Sequence, residues 1–236
     1  MEVKLIGTGG IFSPFNSACA LINKHILVDI PNGSLKEMRK SNINIKDIDC
    51  IFVTHLHGDH YFDIPFLLLE KYKLDKKNIK IIGSSDTETK VRELTKIAFP
   101  DSYEKIFSNL KVEFLLNDTE LKIDKIKVNS LKMNHREMEA YGYIFQDNEE
   151  KIGFTGDTAL CESVYKMMNE CKKVVADTTF EIGTDTHMGV NDILMLLKKY
   201  PNTTIIPTHT SSREKRILSF QSFDNLLLLN DMDDIK

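Results

Sequence analysis

The sequence lacks the features that mark membrane and secreted proteins. None of its apolar stretches approaches the roughly 20 consecutive residues that a bilayer-spanning helix needs, and the longest are short runs at 64–69 and 226–229. The first residues carry neither a basic region nor a long apolar region of the kind that export signals contain. We therefore expect a cytoplasmic protein that does not act at a membrane.

An excess of positive charge and paired cysteines are also missing. The 31 lysines and arginines stand against 35 acidic residues, and the net charge of -4 offers no overall attraction for a polyanion such as nucleic acid. The four cysteines form no C-x-x-C pair, and they lie in apolar segments where a reduced thiol packs as a small hydrophobic side chain. We expect buried free thiols, and nucleic acid, if bound, to be held locally.

No repeat, low-complexity tract or Gly/Ser-rich linker divides the 236 residues, which predicts a single domain over residues 1–236. Short runs rich in Val, Ile, Leu and Phe predict strands, and they alternate with segments of helical periodicity. The predicted helices span 34–39, 64–72, 87–99, 162–169 and 190–200. This pattern indicates an α/β or α+β fold.

The structure of two further segments can be predicted from their composition. The lysine-rich stretch 71–80 is interpreted as a solvated turn rather than a binding patch. The apolar run 223–229 is interpreted as a last helix packed on the core, with a contact between the subunits of a homodimer as the alternative.

The densest group of functional side chains follows a predicted strand at 49–53, in the segment Thr-His-Leu-His-Gly-Asp-His. Alternate side chains of an extended backbone share a face, so His55 and His57 can point at one ion. A turn at Gly58 then allows Asp59 and His60 to reach a second point nearby. One histidine alone is a weak signal, but four potential ligands within six residues predict metal binding.

This H-x-H-x-D-H segment resembles the signature of the metallo-β-lactamase superfamily, whose fold is a four-layer αβ/βα sandwich that holds one or two metals. The superfamily pattern continues with a lone His, an Asp in a Gly-Asp turn and a late His, and the sequence supplies all three in that order over residues 7–213. The resemblance implies two metal positions that share Asp157, the first held by His55, His57 and His135 and the second by Asp59, His60 and His209.

The resemblance and the ligand chemistry together imply a hydrolase. We expect two divalent ions, zinc or alternatively manganese, since imidazole and carboxylate ligands suit them. Di-iron members of the superfamily carry an acidic residue where His57 stands, which favours hydrolysis over redox chemistry. With Asp59, Asp157 and a bridging hydroxide, the two ions leave a net charge of about +1, which favours an anionic phosphodiester attacked by the metal-activated hydroxide. The alternatives are a lactone or thioester hydrolase and a non-catalytic metal-binding module.

Residues 177–213 are similar to the C-terminal half of ribonuclease Z, the tRNA 3′-processing endonuclease. There a surplus histidine is thought to assist the leaving oxygen, which implies that His187 is a general acid or a phosphate-binding donor, oriented by Asp177 or Glu181. The alternative is a structural role for His187 at the start of the helix 190–200. The same resemblance implies that Ser211 and Arg213 contact substrate oxygens, although Arg213 could equally be a solvated surface charge.

The interval between His135 and Asp157 departs from ribonuclease Z. In that family a long arm inserted there grips the tRNA elbow, whereas here the two residues lie 22 positions apart. The interval has room for one strand pair with a turn at 147–150, and this turn is acidic where RNA would favour lysine. A small phosphodiester is therefore preferred over RNA as the substrate.

Overall fold

A computed structural model of the chain describes residues 1–74, 78–117 and 120–236. Two β-sheets face each other across an apolar core, and helices cover the outer face of each sheet. These four layers agree with the predicted αβ/βα sandwich and with the mixed class of α and β structure. No helix in the described ranges is both long and apolar enough to cross a membrane.

The strands and helices are numbered in chain order. The strands are β1 (Val3–Gly7), β2 (Cys19–Ile22), β3 (Ile26–Val28), β4 (Cys50–Phe52), β5 (Asn78–Gly83), β6 (Lys111–Leu116), β7 (Leu121–Ile123), β8 (Ile126–His135), β9 (Met138–Asp147), β10 (Glu150–Phe154), β11 (Lys173–Asp177), β12 (Thr204–Thr208) and β13 (Asp234–Ile235). The helices are α1 (Ser34–Lys40), α2 (Gly58–Tyr61), α3 (Ile64–Lys73), α4 (Thr87–Ala98), α5 (Tyr103–Asn109), α6 (Glu162–Glu170), α7 (Val190–Lys199) and α8 (Ser212–Ser219).

The order of strands places chain segments from both halves side by side. The first sheet has the order β13-β1-β2-β3-β4-β5-β6, and the second has the order β12-β11-β10-β9-β8-β7. Strands β3 to β6 are parallel to one another, as are β10 to β12. The long antiparallel pair β8 and β9 extends the second sheet.

Strand alternation divides the apolar side chains among three cores. In β4, Ile51 faces the core beneath the helices of the first sheet, whereas Phe52 points into the core between the sheets. There its ring meets Tyr143 and Phe145 of β9 edge to face, with centroids 5.0 and 5.1 Å away. A third core joins α6, α7 and α8 to the outer face of the second sheet. The cysteines are free, as expected. Cys19, Cys50 and Cys171 are buried, whereas Cys161 is only partly buried, which departs from the prediction.

The five predicted helices are confirmed by α1, α3, α4, α6 and α7, whose ends differ from the predictions by one residue or less. The run 223–229 packs on the core, as preferred, but the prediction that it forms a helix is wrong. Residues 224–225 form a turn, and residues 226–229 are extended beside β12, with the Leu227 amide donating to the Ile205 carbonyl at 3.0 Å. The four consecutive leucines at 226–229 cannot distinguish a period of two from one of 3.6. Alternate side chains here enter two different cores, Leu226 and Leu228 in one, Leu227 and Leu229 in the other.

The solvated turn predicted over 71–80 falls partly on 75–77, outside the described residues. On either side of these residues the prediction of a turn is wrong, because residues 71–73 belong to α3 and residues 78–80 belong to β5. Lys71 is a buried part of α3, and Asn78 begins β5.

Candidate metal centre

The candidate ligands lie at one edge of the sandwich, where strands of both sheets end. His55 follows β4, Asp157 follows β10 and His209 follows β12, and each of these strands has a parallel neighbour. His135 is the last residue of β8. The carboxyl ends of parallel strands meet at one edge of a sheet, and loops there commonly carry binding groups. The topology therefore brings together all seven residues expected to hold metal.

Three histidines and a carboxylate form the first group of potential ligands. His57 Nδ1 lies 2.9 Å from His55 Nε2 and 3.3 Å from His135 Nε2, and His55 Nε2 lies 3.8 Å from Asp157 Oδ2. His135 Nδ1 donates to the Thr186 carbonyl at 2.8 Å, which leaves the lone pair on Nε2. Ring nitrogens this close cannot all carry protons, so their lone pairs converge on a common point.

A second group shares Asp157 with the first. Asp157 Oδ2 lies 3.4 Å from His60 Nε2 and 3.5 Å from His209 Nε2. Asp59 Oδ2 approaches the same two nitrogens, at 3.8 Å from His60 and 3.4 Å from His209. The two groups are therefore contiguous, and Asp157 is the only carboxylate that reaches both among the described residues.

The nitrogen His60 Nε2 tests whether these residues fit a metal ion. It is buried and has no hydrogen-bond partner in the described part of the chain. Because His60 Nδ1 donates to Asp29 Oδ2 at 2.8 Å, the neutral ring directs the Nε2 lone pair towards the carboxylates of Asp59 and Asp157. Such an arrangement is repulsive unless a proton on Nε2 or a cation lies between the groups. The donor set of imidazoles and carboxylates therefore fits divalent zinc and its neighbours.

Asp29 and Thr54 support the ligands, and sequence reasoning missed both. The Asp29 carboxylate accepts hydrogen bonds from the Thr54 amide and hydroxyl, each at 2.8 Å, besides the one from His60. The Thr54 hydroxyl in turn lies 3.1 Å from His55 Nδ1. The sequence did contain a signal for Asp29, because an acidic residue that directly follows an apolar strand lies at the same kind of strand end as His55, which comes soon after β4. Partners of this kind fix the tautomer of a ligating histidine.

The backbone around the centre departs from ordinary strand and helix geometry. Asp29, Arg136 and His209 have φ values of 58°, 53° and 57°, in the left-handed region that costs a non-glycine residue about 1–2 kcal/mol. Gly156, at φ 60°, precedes Asp157, and a Cβ there would lie 2.8 Å from Thr54 Cβ. Contacts elsewhere in the fold must hold these residues in place.

The two groups differ in their electrostatics. Burial and the neighbouring imidazoles lower the pKa of His55 and of His57, which favours neutral rings in the first group. In the second group burial is the largest influence and also opposes protonation, but the surrounding carboxylates together outweigh it. Asp157 and Asp29 raise the pKa of His60, and Asp157 and Asp59 raise the pKa of His209. Burial alone would raise the pKa of Asp157, yet His209 and His60 hold it well below its ordinary value. The second group therefore favours positive charge, which a metal ion can supply in place of protons.

His187 lies beside the second group and is held by Asp177. Its Nδ1 is 2.9 Å from Asp177 Oδ2 and 3.8 Å from Asp157 Oδ2, and its ring stacks on that of His209 at 5.5 Å. The Thr179 hydroxyl donates to Asp177 Oδ1 at 2.6 Å and accepts from His209 Nδ1 at 2.8 Å. Burial opposes protonation of His187, but the hydrogen bond to Asp177 and the negative charges of Asp177 and Asp157 together outweigh it and raise the pKa. Of the two predicted orienting acids, Asp177 makes this contact.

A cleft of about 310 Å³ opens beside His187 and His209. The loop that contains Gly10 and Phe12 forms one wall, and Phe180 lies on another. Ser211 also lines the cleft, and its hydroxyl caps α8 by accepting from the Arg213 amide and contacting Glu214. Arg213 forms an ion pair with Glu181, and its side chain is 74% exposed. Contact of Ser211 and Arg213 with substrate stays a prediction.

Comparison with known families gives a match over most of the chain. The sequence profile of the family described as "Anti-Pycsar protein Apyc1" matches residues 1–226.

Curated relatives with similar sequences are named ribonuclease Z. The protein of Thermococcus kodakarensis is 32% identical over 160 residues, which cover 65% of this chain and 49% of that protein. The protein of Metallosphaera sedula is 25% identical over 259 residues and covers 92% of this chain and 85% of its own length. The chain spans about half the length of the first of these relatives. The predicted resemblance to ribonuclease Z is confirmed.

Solved structures share the fold at low sequence identity. The metallo-β-lactamase fold protein YhfI of Bacillus subtilis superposes with a TM-score of 0.79 at 17% identity, covering 99% of this chain and 98% of that one. The short form of human tRNase Z gives a TM-score of 0.74 at 20% identity, with coverage of 100% and 99%. A diphosphatase from the PhnP family gives 0.75 at 16% identity, with coverage of 100% and 97%. These likenesses confirm the metallo-β-lactamase fold.

Proposed function

The chain belongs to the family of anti-Pycsar protein Apyc1, and from this membership and the geometry of its metal centre we propose that it is a metal-dependent hydrolase of small phosphodiesters. The relatives named ribonuclease Z and the structural neighbours titled tRNase Z and diphosphatase support cleavage of a P–O bond. The same proposal treats residues 1–236 as one domain, since both sheets contribute ligands to one centre.

The pairing of His187 with Asp177 carries this proposal. The seven candidate ligands are common to hydrolases that act on very different bonds, whereas His187 is surplus to them. Its Nδ1 is held by Asp177 at 2.9 Å, which leaves Nε2 free to donate a proton to a substrate. A partly buried imidazole oriented in this way by a carboxylate suits protonation of a leaving oxygen.

The metal ions would be held by the two groups already described. His55, His57, His135 and Asp157 would hold one, and Asp59, His60, His209 and Asp157 the other. Two divalent ions, with zinc preferred over manganese, would supply Lewis acidity and a hydroxide nucleophile near neutral pH. The chain's own residues then orient the substrate in the cleft, and His187 donates the proton that the departing alkoxide requires.

A small substrate is favoured over RNA by the shape of the chain. Between His135 and Asp157 the chain forms β9 and β10, preceded by a two-residue turn at 136–137 and joined by another at 148–149, in which Asn148 has φ 54°. No long arm leaves the sandwich here. The cleft of about 310 Å³ lies at the low end of the range for small-molecule pockets. We therefore place small phosphodiesters first and RNA second as substrates.

Hydrolysis by the zinc- or manganese-loaded protein tests the proposal. We expect turnover of bis(p-nitrophenyl) phosphate and of at least one compound from a panel of dinucleotides, cyclic nucleotides and glycerophosphodiesters. Asp59→Ala should lower kcat/KM by at least about 100-fold, because it removes a ligand and a negative charge from the second metal position. His25→Ala is the matched control, since His25 is the histidine outside the centre and contacts only surface acids in the described chain.

Other results would replace the proposal. Turnover confined to lactones or thioesters would assign the same centre to that chemistry. Tight metal binding without hydrolysis of any substrate class would indicate a non-catalytic metal-binding protein. A homodimer and a cytoplasmic location remain predictions from the sequence, which sedimentation and cell fractionation would test.

A further inference from the structure

The carboxylate of Asp231 joins the two ends of one loop. Its Oδ1 accepts hydrogen bonds from the Thr8 amide at 2.9 Å and from the Thr8 hydroxyl at 2.8 Å. Its Oδ2 accepts from the Asn16 amide at 2.7 Å. The two ends of the segment 8–16 are therefore held by one acidic side chain, which lies more than 200 positions further along the chain. We call residues 8–16 the wall loop.

The wall loop forms one side of the cleft beside the metal centre. Gly10 packs so closely on His209 that a Cβ there would lie 3.0 Å from His209 Nδ1. The Gly10 amide donates to the Thr210 carbonyl at 3.3 Å, and the Thr210 amide donates to the Thr8 carbonyl at 3.2 Å. The tip of the loop presents Phe12 to solvent, with 96% of the side chain exposed. The ends of the wall loop are therefore held by hydrogen bonds, and its tip places an exposed apolar side chain at the cleft.

Lys215 of α8 makes further contacts with the two ends of the wall loop. Its Nζ donates to the Thr8 hydroxyl and to the Leu229 carbonyl, each at 2.8 Å, and lies 4.1 Å from the centroid of the Phe15 ring. The Thr8 hydroxyl therefore accepts from Lys215 and donates to Asp231. The side chain of Thr8 is buried, whereas Lys215 and Asp231 are partly buried, so these charge-assisted bonds are partly shielded from water.

We propose that Asp231 is a positioning residue that fixes the wall loop and so shapes the substrate cleft. Asp231 touches none of the candidate metal ligands in the described chain, and its action on the substrate would pass through the loop. Its loss should therefore raise KM more than it lowers kcat. This effect on KM rests on the proposed function, whereas the fixing of the loop does not.

Hydrogen exchange measured by mass spectrometry tests the fixing of the loop without any assay of activity. Asp231→Asn keeps the size of the side chain but replaces one acceptor oxygen with a donor group. We expect amide exchange in peptides covering residues 8–16 to rise by about tenfold or more. The matched control is Asp234→Asn, because Asp234 is an acid of the same tail that pairs with Lys4 at the surface. Exchange in residues 8–16 should stay unchanged in this control.

Kinetics on the phosphodiester that the wild-type protein hydrolyses complete the test. We expect Asp231→Asn to raise KM by about fivefold to tenfold with kcat within twofold of wild type and with unchanged zinc content. Unchanged exchange in residues 8–16 would overturn the positioning role, and faster exchange with unchanged KM would overturn its effect on the cleft. If Asp231→Asn does not fold, Thr8→Val replaces only the shared hydroxyl with a methyl group. It should raise amide exchange in residues 8–16 and KM in the same direction, but by less. A wild-type protein with no activity would refute the proposed function, while the exchange measurement would still decide the role of Asp231.

Discussion

Replacing Asp29 by Asn should weaken metal binding without removing a ligand. The Asp29 carboxylate accepts three hydrogen bonds of 2.8 Å, two from Thr54 and one from His60 Nδ1. The amide of Asn has one acceptor oxygen for these donors and no charge. The His60 ring then loses the carboxylate that makes its Nε2 a strong donor to a metal, and one buried hydrogen of Thr54 or His60 is left facing an NH₂ group.

The size of the effect follows from these contacts. Loss of a carboxylate behind a ligating histidine commonly lowers metal affinity by 10- to 100-fold, which corresponds to about 1.4–2.7 kcal/mol. The loss should fall on one ion, because the first group of ligands does not contact Asp29 directly. Leaving a buried donor unpaired should also cost about 1–3 kcal/mol in the unfolding free energy of the metal-free protein.

Zinc titration against a competing chelator measures both binding steps. We expect Asp29→Asn to leave one zinc affinity near its wild-type value and to lower the other by at least tenfold. Asp63→Asn is the matched control, since Asp63 is also a buried acid but accepts from the Leu35 amide at 3.0 Å, away from the ligands. Two wild-type affinities in Asp29→Asn would refute the proposed role of His60 as a ligand oriented by Asp29.

Two further predictions concern other parts of the centre. Asp177→Asn should lower kcat by about 10- to 100-fold for a phosphodiester with an alkoxide leaving group, but less for bis(p-nitrophenyl) phosphate, because a stable leaving group needs little help from an oriented His187. Equal losses for both substrates in steady-state assays would contradict the proton-donor role. Gly156→Ala should destabilise the metal-free protein by about 1–3 kcal/mol in urea unfolding, since it combines positive φ with a contact against Thr54. Gly33→Ala, which shares positive φ but has open space around the Cβ position, should cost less, and an equal cost would show that the contact is unimportant.

Much of the fold and the close grouping of the central candidate ligands could be predicted because their signals are local. The helix 190–199 has an apolar stripe of 3.6 periodicity, and the segment His-x-His-x-Asp-His places its candidate ligands within six consecutive residues. The position of the late candidate ligands Asp157 and His209 at the same edge was predictable because each follows an apolar strand. In contrast, the leucines at 226–229 offer no periodicity, so only their contacts with β12 reveal an extended segment.

The amino-acid sequence by itself determined which side chains can bind metal, since imidazole and carboxylate chemistry at that spacing does not depend on the rest of the fold. Only the tertiary structure decided which residue each carboxylate accepts a hydrogen bond from. Asp177 rather than Glu181 holds His187, Asp29 holds His60, and Asp231 holds a loop at the opposite end of the chain. A carboxylate in a sequence carries no mark of its partner, because the hydrogen bonds that define its role join residues that only folding brings together.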